Sequence, residues 1–251
     1  MLHFGYFDDT EISPEYISIG LLENAQNRYA EIIIEQIENK GAPVLDVGCG
    51  MGGLSNYLLK HGFNVEAVTP NVNQVKYIQR VYDKLPLHHC KFEDLTTDNK
   101  YGTVVNSESL QYINMDDAFK KVGSIIIPHG RWIITDCFRT NVESCNRSGH
   151  VLSKFSDKIR EYDWSVCYQR DFTVNILPML KLINMYVDRF LVPLSHYADD
   201  KLKYKKAWLY YLTGNLRKAI SEKSKKEICA IDPEVFFAEK KYMIFVLEKK
   251  E

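Results

Sequence analysis

The glycine-rich segment V-L-D-V-G-C-G-M-G-G at residues 44–53 constrains the fold of this chain more strongly than any other feature. A short, mainly apolar run at residues 44–47 breaks into a turn with the spacing G-x-G-x-x-G, and a helical pattern begins at Gly53. Glycine allows a backbone to approach a ligand closely, and the N-terminus of a following helix attracts a negative group. The segment therefore predicts a strand, a ligand-binding turn and a helix, with a structural turn that binds no ligand as the alternative.

Strands and helices alternate along the first half of the chain. Apolar residues recur at helical spacing in residues 18–37, and Gly41 and Pro43 follow as stop signals. Further helices are predicted at residues 53–60, 70–85 and 116–127, and strands at residues 44–47, 63–69, 88–92, 102–106 and 131–137. This alternation is typical of a parallel, doubly wound α/β sheet.

The last third of the chain has a different pattern. Residues 166–173 favour a strand, whereas residues 176–192 and 199–223 favour helices. The unbroken apolar run at residues 242–247 predicts a final strand. We therefore expect a Rossmann-like, mostly parallel sheet of seven strands, with an N-terminal helix and a helical cap inserted before the last strand.

Charge and composition disfavour several kinds of partner. Lys and Arg number 32 against 33 Asp and Glu, so the net charge of −1 gives no reason to expect a nucleic acid or an anionic membrane surface. The basic run at residues 201–206 is interpreted as a solvated helix face. Six cysteines without a C-x-x-C pair, and a start that does not match an export signal, favour a cytoplasmic protein with reduced thiols. No stretch approaches the roughly 20 apolar residues of a membrane span.

The acidic residue before the glycines indicates which kind of ligand the turn binds. Asp46 stands two residues ahead of Gly48 and brings a carboxylate to the turn. A carboxylate repels a pyrophosphate but attracts an ammonium or sulfonium group, which makes a nicotinamide-dependent dehydrogenase a distant alternative. The pattern D-x-G-x-G-x-G, which includes Cys49 and Gly50, resembles the first motif of class I S-adenosylmethionine-dependent methyltransferases.

Residues at the end of the second predicted strand indicate which group of these methyltransferases the chain resembles. Most class I methyltransferases have an acidic residue here that binds the ribose hydroxyls, whereas this chain has Thr69 and Pro70, with Gln74 five residues after the threonine. The combination resembles cyclopropane-fatty-acid synthases, mycolic acid cyclopropane synthases and related small-molecule methyltransferases. The resemblance implies that Thr69 and Gln74 contact the nucleoside of S-adenosylmethionine and bind its ribose, and Pro70 is a further candidate for cofactor binding.

Two later segments extend the set of candidate cofactor-binding residues. F-E-D at residues 92–94 ends the third predicted strand, where the resemblance places an acidic residue at the adenine amine. N-S-E-S-L-Q-Y at residues 106–112 resembles the E-S-x-x-H segment of tocopherol-type, sterol-type and sugar methyltransferases. The candidate cofactor-binding residues are Asp46, Gly48, Cys49, Gly50, Thr69, Pro70, Gln74, Phe92, Glu93, Asp94, Asn106 and Ser107.

Three residues are candidates for a catalytic role. In cyclopropane synthases a Glu and a His after the fourth strand hold a bicarbonate, and the equivalent residues here are Gln111 and Tyr112. Neither ionises usefully near neutral pH, which disfavours cyclopropanation of a lipid. His150, after the fifth predicted strand, is the candidate base, with a surface-loop histidine as the alternative. No metal site is expected, because the adjacent His88 and His89 point to opposite faces of a strand.

Together these features predict transfer of a methyl group from S-adenosylmethionine to a small-molecule acceptor at O, N or C, in natural-product or specialised metabolism. The transfer is an in-line displacement that depends on positioning, and it needs a base only when the acceptor carries a proton. A fatty-acyl-modifying enzyme of the cyclopropane synthase type and a non-catalytic cofactor-binding module are the alternatives. S-adenosylhomocysteine is the expected product, and a homodimer is compatible with the sequence.

The resemblance also implies how the chain is divided. A single methyltransferase domain comprises an N-terminal helical segment (residues 1–42), a cofactor-binding core (43–140), a substrate cap (141–232) and a closing strand (233–251). We expect aromatic residues near the start and in the cap to line a pocket for a flat or apolar acceptor, where their rings also attract a sulfonium. These residues are Tyr6, Phe7, Tyr162, Trp164, Tyr168, Tyr197, Tyr204, Trp208, Tyr210 and Tyr211.

Overall fold

Eight strands form one sheet in the computed structural model of the protein, which describes residues 3–141, 147–215, 217–218, 222, 228–229 and 232–249. In the order in which they lie in the sheet, seven strands are β3 (Leu87–His88), β2 (Val65–Val68), β1 (Val44–Val47), β4 (Tyr101–Ser107), β5 (Ile126–Arg139), β8 (Lys240–Lys249) and β7 (Trp164–Asp171). The short β6 (His150–Val151) pairs with the end of β5. This architecture confirms the predicted α/β fold class with a mostly parallel sheet, and the short β6 adds an eighth strand to the seven that we expected.

The strand order creates a site at the carboxyl ends of the parallel strands. β1 to β5 pair in parallel, whereas β8 runs antiparallel to β5 and β7. The chain runs outward from β1 to β3 and then returns to form β4 on the other side of β1. In open α/β sheets, ligands bind at such a switch point. The glycine-rich turn after β1 and the segment after β4 meet there.

The helices connect the strands and cover the sheet. Their bounds are α1 (Ile19–Glu35), α2 (Gly53–Lys60), α3 (Val72–Val81), α4 (Met115–Ile125), α5 (Leu152–Glu161), α6 (Thr173–Tyr186), α7 (Val192–Lys205), α8 (Ala207–Leu212) and α9 (Pro233–Glu239). A π-helical turn, Val187–Leu191, joins α6 to α7. Side chains cap two of the helices that flank the site: Asn71 accepts from the backbone N–H groups at the start of α3, and Asn114 does the same for α4.

Two buried apolar clusters lie on opposite faces of the sheet. Side chains alternate along β1, so that Val44 belongs to the first cluster whereas Leu45 and Val47 belong to the second. α1 and α6 contribute to the first cluster, and α4 and α5 to the second, where Phe119 and Phe155 are fully buried. Burial of this apolar surface on both faces fixes the strand ends, and therefore the loops that carry the site.

Several boundaries differ from those expected. β3 ends at His88 rather than at residue 92, because the chain turns at residues 91–95, where Leu95 N donates to Phe92 O. The predicted helix at residues 199–223 is interrupted at Lys206, whose φ of −143° and ψ of 60° are not helical. β5 begins at Ile126, five residues earlier than expected. The division of the chain into four segments stays a prediction.

The described part of the chain also bears on the thiols and on membrane crossing. Cys49, Cys90, Cys137, Cys167 and Cys229 are free, and Cys145 lies outside the described residues. Among the helices that the structure describes, none has both the length and the apolar character that a crossing of the bilayer requires.

Candidate functional site

The turn between β1 and α2 is built from glycines in left-handed conformations. Gly48, Gly50 and Gly52 have φ angles of 71°, 55° and 78°, which other residues rarely adopt. A Cβ atom on Gly48 would lie 2.5 Å from Cβ of Ser109, in the segment after β4, whereas one on Gly50 would meet no described heavy atom within 4 Å. Gly48 therefore permits close packing against the neighbouring loop, and Gly50 leaves the space above the turn open.

Two cavities meet at Gly48. The first has a volume of about 370 Å³ and is lined by His3, Asp46, Gly48, Cys49, Gly50, Met51, Gly53, Leu54, Tyr77, Tyr82 and Ser107. The second has a volume of about 360 Å³ and is lined by Val47, Gly48, Val68, Thr69, Pro70, Asn71, Gln74, Cys90, Lys91, Phe92, Glu93, Glu108, Ser109, Tyr112 and Ile113. An elongated ligand that crosses Gly48 can occupy both.

A buried carboxylate lies at the first cavity. Asp46 is 1% exposed, and its Oδ2 accepts a hydrogen bond of 2.5 Å from Ser55 Oγ in α2. Burial raises the pKa of Asp46 to about 6, and the bonds from Ser55 oppose this rise only in part. At neutral pH the first cavity thus contains a buried negative charge, which favours a cationic ligand group such as an ammonium.

Two polar side chains are held together at the second cavity. Thr69, at the end of β2, donates from Oγ1 to Gln74 Oε1 at 2.5 Å and accepts from Asn71 N at 3.3 Å. The cap that Asn71 places on α3 fixes the position of Gln74 on the first turn of that helix. This arrangement offers a hydroxyl and an amide to the hydroxyl groups of a ligand.

Replacement of Thr69 by valine keeps the shape of this position but removes its hydroxyl. We expect the dissociation constant for S-adenosylhomocysteine to rise about 10-fold, because a hydrogen bond to a ligand contributes roughly 1–1.5 kcal/mol. Calorimetric titration measures the change. The free energy of unfolding of the cofactor-free variant serves as the control and should change by less than about 1 kcal/mol; unchanged affinity would remove Thr69 from the site.

The other predicted cofactor residues differ in position. Phe92 and Glu93 line the second cavity, although they lie in the turn after β3 and not at its end. Asp94 is exposed and lines neither cavity, because the turn directs its side chain outward, with its N–H donating to Lys91 O. Ser107 lines the first cavity.

Asn106 stabilises the loop after β4 rather than facing a cavity. Its Oδ1 accepts from Trp132 Nε1 at 2.8 Å, and its Nδ2 donates to Ser109 Oγ at 2.9 Å. Ser109 Oγ in turn donates to Val47 O at 2.5 Å, which links the loop to the end of β1. These bonds use the amide of Asn106 inside the protein, where it is fully buried.

The three predicted catalytic residues lie at the same loop after β4, but only Tyr112 lines a cavity. His150 Nε2 lies 3.0 Å from both Leu110 O and Ile113 O, so its ring packs behind the loop after β4 and lines neither cavity. Gln111 also lines neither cavity; its backbone N–H donates to Asp136 Oδ2 at 3.0 Å. Tyr112 lines the second cavity and is 81% exposed, at its rim.

Glu108 is the residue that the candidate set omitted. It has a φ of 53°, and its Oε1 accepts from Tyr242 Oη at 2.6 Å and from Phe4 N at 3.3 Å. Burial raises the pKa of Glu108, and these two hydrogen bonds oppose the rise. The signal was present in the sequence, because Glu108 is the acidic residue of the E-S-x-x-H-like segment.

A buried network supports Glu108 from the β8 side. Tyr29 Oη lies 3.3 Å from Tyr242 Oη, 2.8 Å from Ser107 Oγ and 2.5 Å from Thr135 Oγ1. The ring of His3 stacks on Tyr29 at 4.0 Å between centroids, and burial lowers the pKa of His3 to about 3, so this ring is neutral. Uncharged hydroxyls and a neutral ring therefore lie on this side of the Glu108 carboxylate, and the buried Asp136 is near enough to interact with it electrostatically.

The buried carboxyls make stability depend on pH. The pKa values of Asp46 and Asp136 are raised from 3.8 to about 6 and about 7, mainly by burial. Both groups bind a proton more tightly in the folded chain than in the unfolded chain. This contribution is fully present below about pH 4 and is lost as the pH rises through 6 and 7.

We expect the free energy of unfolding of the cofactor-free protein to fall by a few kcal/mol between about pH 4 and pH 8, at about 1.4 kcal/mol per pH unit for each group. The two carboxyls outweigh His3, whose lowered pKa of about 3 adds stability as the pH rises to about 6.5. Asp136→Asn should remove a large part of this slope, and the exposed Asp98→Asn should leave it unchanged. Urea unfolding across the pH range measures the slope; stability that rises over this range would contradict the assignment.

The aromatic residues of the start and cap do not line these cavities, contrary to expectation. Within the described part of the chain, the rings at the two cavities belong to Tyr77, Tyr82, Phe92 and Tyr112, besides His3. Tyr162 instead stacks on Phe119 of α4, and Trp164 packs edge-on against the same ring. Those of α7 and α8 point into solvent or pack on one another.

Comparison with known proteins agrees with this architecture. A family model described as mycolic acid cyclopropane synthetase matches residues 18–228. A sarcosine/dimethylglycine N-methyltransferase of Aphanothece halophytica is 27% identical over 151 residues, which cover 56% of this chain and 52% of that protein. A sterol 4-C-methyltransferase of Caenorhabditis elegans is 29% identical over 142 residues, which cover 52% of this chain and 41% of that protein.

A solved structure shares the fold of this chain over the whole length of the chain. Geranyl diphosphate C-methyltransferase from Streptomyces coelicolor A3(2), in complex with Mg²⁺, geranyl diphosphate and S-adenosyl-L-homocysteine, superposes with a TM-score of 0.71 at 15% identity. The match covers 100% of this chain and 92% of the other. The chain spans about half the length, or less, of the curated relatives named above. These matches confirm the resemblance to methyltransferases that the motifs indicated.

Proposed function

Since this chain belongs to the mycolic acid cyclopropane synthetase family, we propose that it transfers the methyl group of S-adenosylmethionine to a small-molecule acceptor. S-adenosylmethionine is the cofactor of this family. The observation that carries the proposal is the pair of cavities that meet at Gly48, one with a buried carboxylate and the other with a paired hydroxyl and amide.

The residues present fit this cofactor from one end to the other. Asp46 suits the ammonium of the amino-acid part at the first cavity, and the open space above Gly50 admits a chain that runs along the turn. Thr69 and Gln74 suit the ribose hydroxyls at the second cavity, and the carboxylate of Glu93 suits the exocyclic amine of adenine. The same turn would disfavour a pyrophosphate, since Asp46 adds a negative charge where a dinucleotide places its phosphates.

When bound, the cofactor would supply a methyl group on a positively charged sulfur to an O, N or C atom of the acceptor. The task of the protein is to hold the two partners in line and to exclude water. The close packing of Gly48 against Ser109 and the buried network around Tyr29 make that part of the site rigid.

Glu108 is placed to accept a proton. It lines the second cavity and is the next residue after Ser107, which lines the first, so its carboxylate lies near the junction of the two. A pKa raised by burial makes the ionised Glu108 a stronger base than an exposed carboxylate. We assign to Glu108 Oε the removal of the proton from an acceptor O–H or N–H group.

The acceptor is a small molecule of natural-product or specialised metabolism in this proposal. Modification of a fatty-acyl chain is the second candidate, since the family model carries that activity in its description. Gln111 and Tyr112 disfavour it, because they replace the ionisable pair of the cyclopropane synthases and because Gln111 lines neither cavity.

Incubation of the purified chain with methyl-labelled S-adenosylmethionine and a panel of acceptors tests the proposal. The panel contains amines, phenols, carboxylic acids, sterols and an unsaturated phospholipid, and a Gly50→Arg variant is the control. Labelled small-molecule product with stoichiometric S-adenosylhomocysteine supports it. Label in the phospholipid alone would favour the fatty-acyl reading, and tight binding without turnover of any acceptor would favour a cofactor-binding module.

A further inference from the structure

The helices at residues 186–212, here called the aromatic arm, present a row of large side chains to solvent. Seven positions follow one another at alternating spacings of four and three residues: Phe190, Leu194, Tyr197, Lys201, Tyr204, Trp208 and Tyr211. The six apolar or aromatic members are between 60% and 92% exposed. None of the residues of α7 and α8, all of which the structure describes, is buried.

Two of these rings contact a neighbour within the arm: Phe190 stacks on Tyr186, and Tyr211 packs edge-on against Tyr210, yet both remain at least 60% exposed. The contacts that hold the chain after α8 in place use other residues. Arg217 Nη1 donates to Asp199 Oδ1 at 2.7 Å, and the Arg217 guanidinium lies 3.4 Å from the centroid of the Tyr210 ring. Lys203 Nζ lies 5.9 Å from the same centroid. These contacts hold the chain after α8 against α7 without using any of the seven positions. The stripe is therefore available to something outside the described part of the chain.

The charge of the arm indicates what that partner is. Lys201, Lys203, Lys205 and Lys206 place four positive charges within six positions and follow Asp199 and Asp200, so residues 199–206 carry four positive and two negative charges, a net +2, whereas the formal net charge of the whole chain is −1. On a helix, Lys203 and Lys205 lie about 100° to either side of Tyr204, so that ammonium groups flank the stripe. Tyr and Trp rings between lysines are typical of helices that lie in the interface of an anionic bilayer.

We propose that the aromatic arm docks on an anionic lipid surface, with its rings among the headgroups and its lysines against the lipid phosphates. A straight helix from a second copy of the chain fits less well, because the arm changes direction at Lys206, and a zipper requires a continuous helix. A lipid surface adapts to both parts. The near-neutral total charge of the chain conceals this local excess of positive charge, for which a solvated helix face requires no partner.

Binding of the full chain to vesicles tests the proposal. Phosphatidylcholine vesicles with and without phosphatidylglycerol are compared by flotation and by tryptophan fluorescence. Trp132 and Trp164 are buried and Trp208 is 69% exposed, so a shift of the emission to shorter wavelength reports on the arm. We expect preferential binding to the anionic vesicles, accompanied by this shift and weakened by salt.

Two variants of equal charge separate the arm from general electrostatic attraction. Glutamine at Lys201, Lys203, Lys205 and Lys206 should weaken the partition to anionic vesicles about fivefold for each lysine removed. The matched control has glutamine at four exposed lysines of the parallel half of the sheet: Lys60, Lys76, Lys84 and Lys120. It should retain wild-type binding to within about threefold, because these lysines lie outside the arm. Trp208→Ser should abolish the fluorescence shift.

Three outcomes would overturn the proposal. The first is absence of binding to anionic vesicles, and the second is an equal loss of binding in the two lysine variants. The third is a concentration-dependent dimer in analytical ultracentrifugation that Trp208→Ser dissociates, since the stripe would then belong to a second copy of the chain. Methyl transfer to a water-soluble acceptor should be the same in the arm variants and the wild type, so this test is independent of the proposed activity.

Discussion

Replacement of Glu108 by glutamine should lower kcat/KM for methyl transfer to an O–H or N–H acceptor by at least about 100-fold, because a positioned base contributes about 100- to 10,000-fold. Glutamine keeps the size of the side chain and its hydrogen bonds with Tyr242 and Phe4, but it cannot take a proton. The affinity for S-adenosylhomocysteine should change by less than about threefold, because glutamine keeps the size of the side chain in the second cavity.

Two further variants show whether the carboxylate acts as a base. Tyr242→Phe removes the Oη donor that favours the ionised form of Glu108, so the acidic limb of the pH–rate profile should move to higher pH. Gln111→Ala is the matched control, since this side chain lines neither cavity, and its activity should stay within about fivefold of the wild type. Full activity of Glu108→Gln on an acceptor that must lose a proton would contradict the assignment.

Gly48→Ala and Gly50→Ala should have different effects, although the two variants add the same methyl group two residues apart in one turn. At Gly48 the new Cβ lies 2.5 Å from Cβ of Ser109, and the φ of 71° adds strain. Overpacking of this kind costs roughly 1–3 kcal/mol and the left-handed backbone about 1 kcal/mol more. We expect a strongly destabilised protein with little cofactor binding.

At Gly50 the new Cβ projects into open space, so the fold should lose only the cost of the left-handed backbone, about 1 kcal/mol. The affinity for S-adenosylhomocysteine should nevertheless fall at least about 10-fold, since the methyl group fills the space through which the ligand approaches the turn. Urea unfolding and calorimetric titration of the two variants separate the effects. Normal affinity in a folded Gly50→Ala protein would show that no ligand crosses this turn.

The part of the fold that sequence predicts best is the part with the strongest local signals. α2 begins at Gly53 and ends at Lys60, as expected, because glycines before residue 53 and at Gly62 fix both ends. β3 is less predictable. Only its two residues pair with β2, and Phe92, which we expected in the strand, is buried although it lies in the turn that follows. Apolar character alone does not distinguish a strand residue from a buried loop residue.

The residues of the candidate site also differ in how well the sequence predicts them. The cofactor side depends on residues that are close in sequence, such as Thr69 and Gln74, and their spacing is readable from the chain. The role of Glu108 depends on Tyr242, which is 134 residues away, and on the backbone of Phe4. His150 is of a residue type that can act as a base, but its surroundings do not suit that role, because two backbone carbonyls lie within hydrogen-bond distance of its Nε2. Side-chain chemistry is visible in sequence, whereas its partners across the fold are not.

The cap shows a third kind of limit. The periodic aromatic residues at positions 190–211 predict helices, which the structure contains, but periodicity does not specify what the apolar face contacts. We expected a pocket, and the rings instead face solvent. The exposure of these rings depends on where the helices lie relative to the sheet, which periodicity does not specify.

The central claim is that S-adenosylmethionine binds across Gly48, with its amino-acid part at Asp46 and its nucleoside at Thr69 and Gln74. Calorimetric titration of the wild-type chain with S-adenosylhomocysteine tests it most directly. We expect saturable binding of one equivalent, which Gly50→Arg abolishes in a protein that remains folded. Absence of binding at millimolar ligand, or equal binding by the folded Gly50→Arg variant, would contradict it.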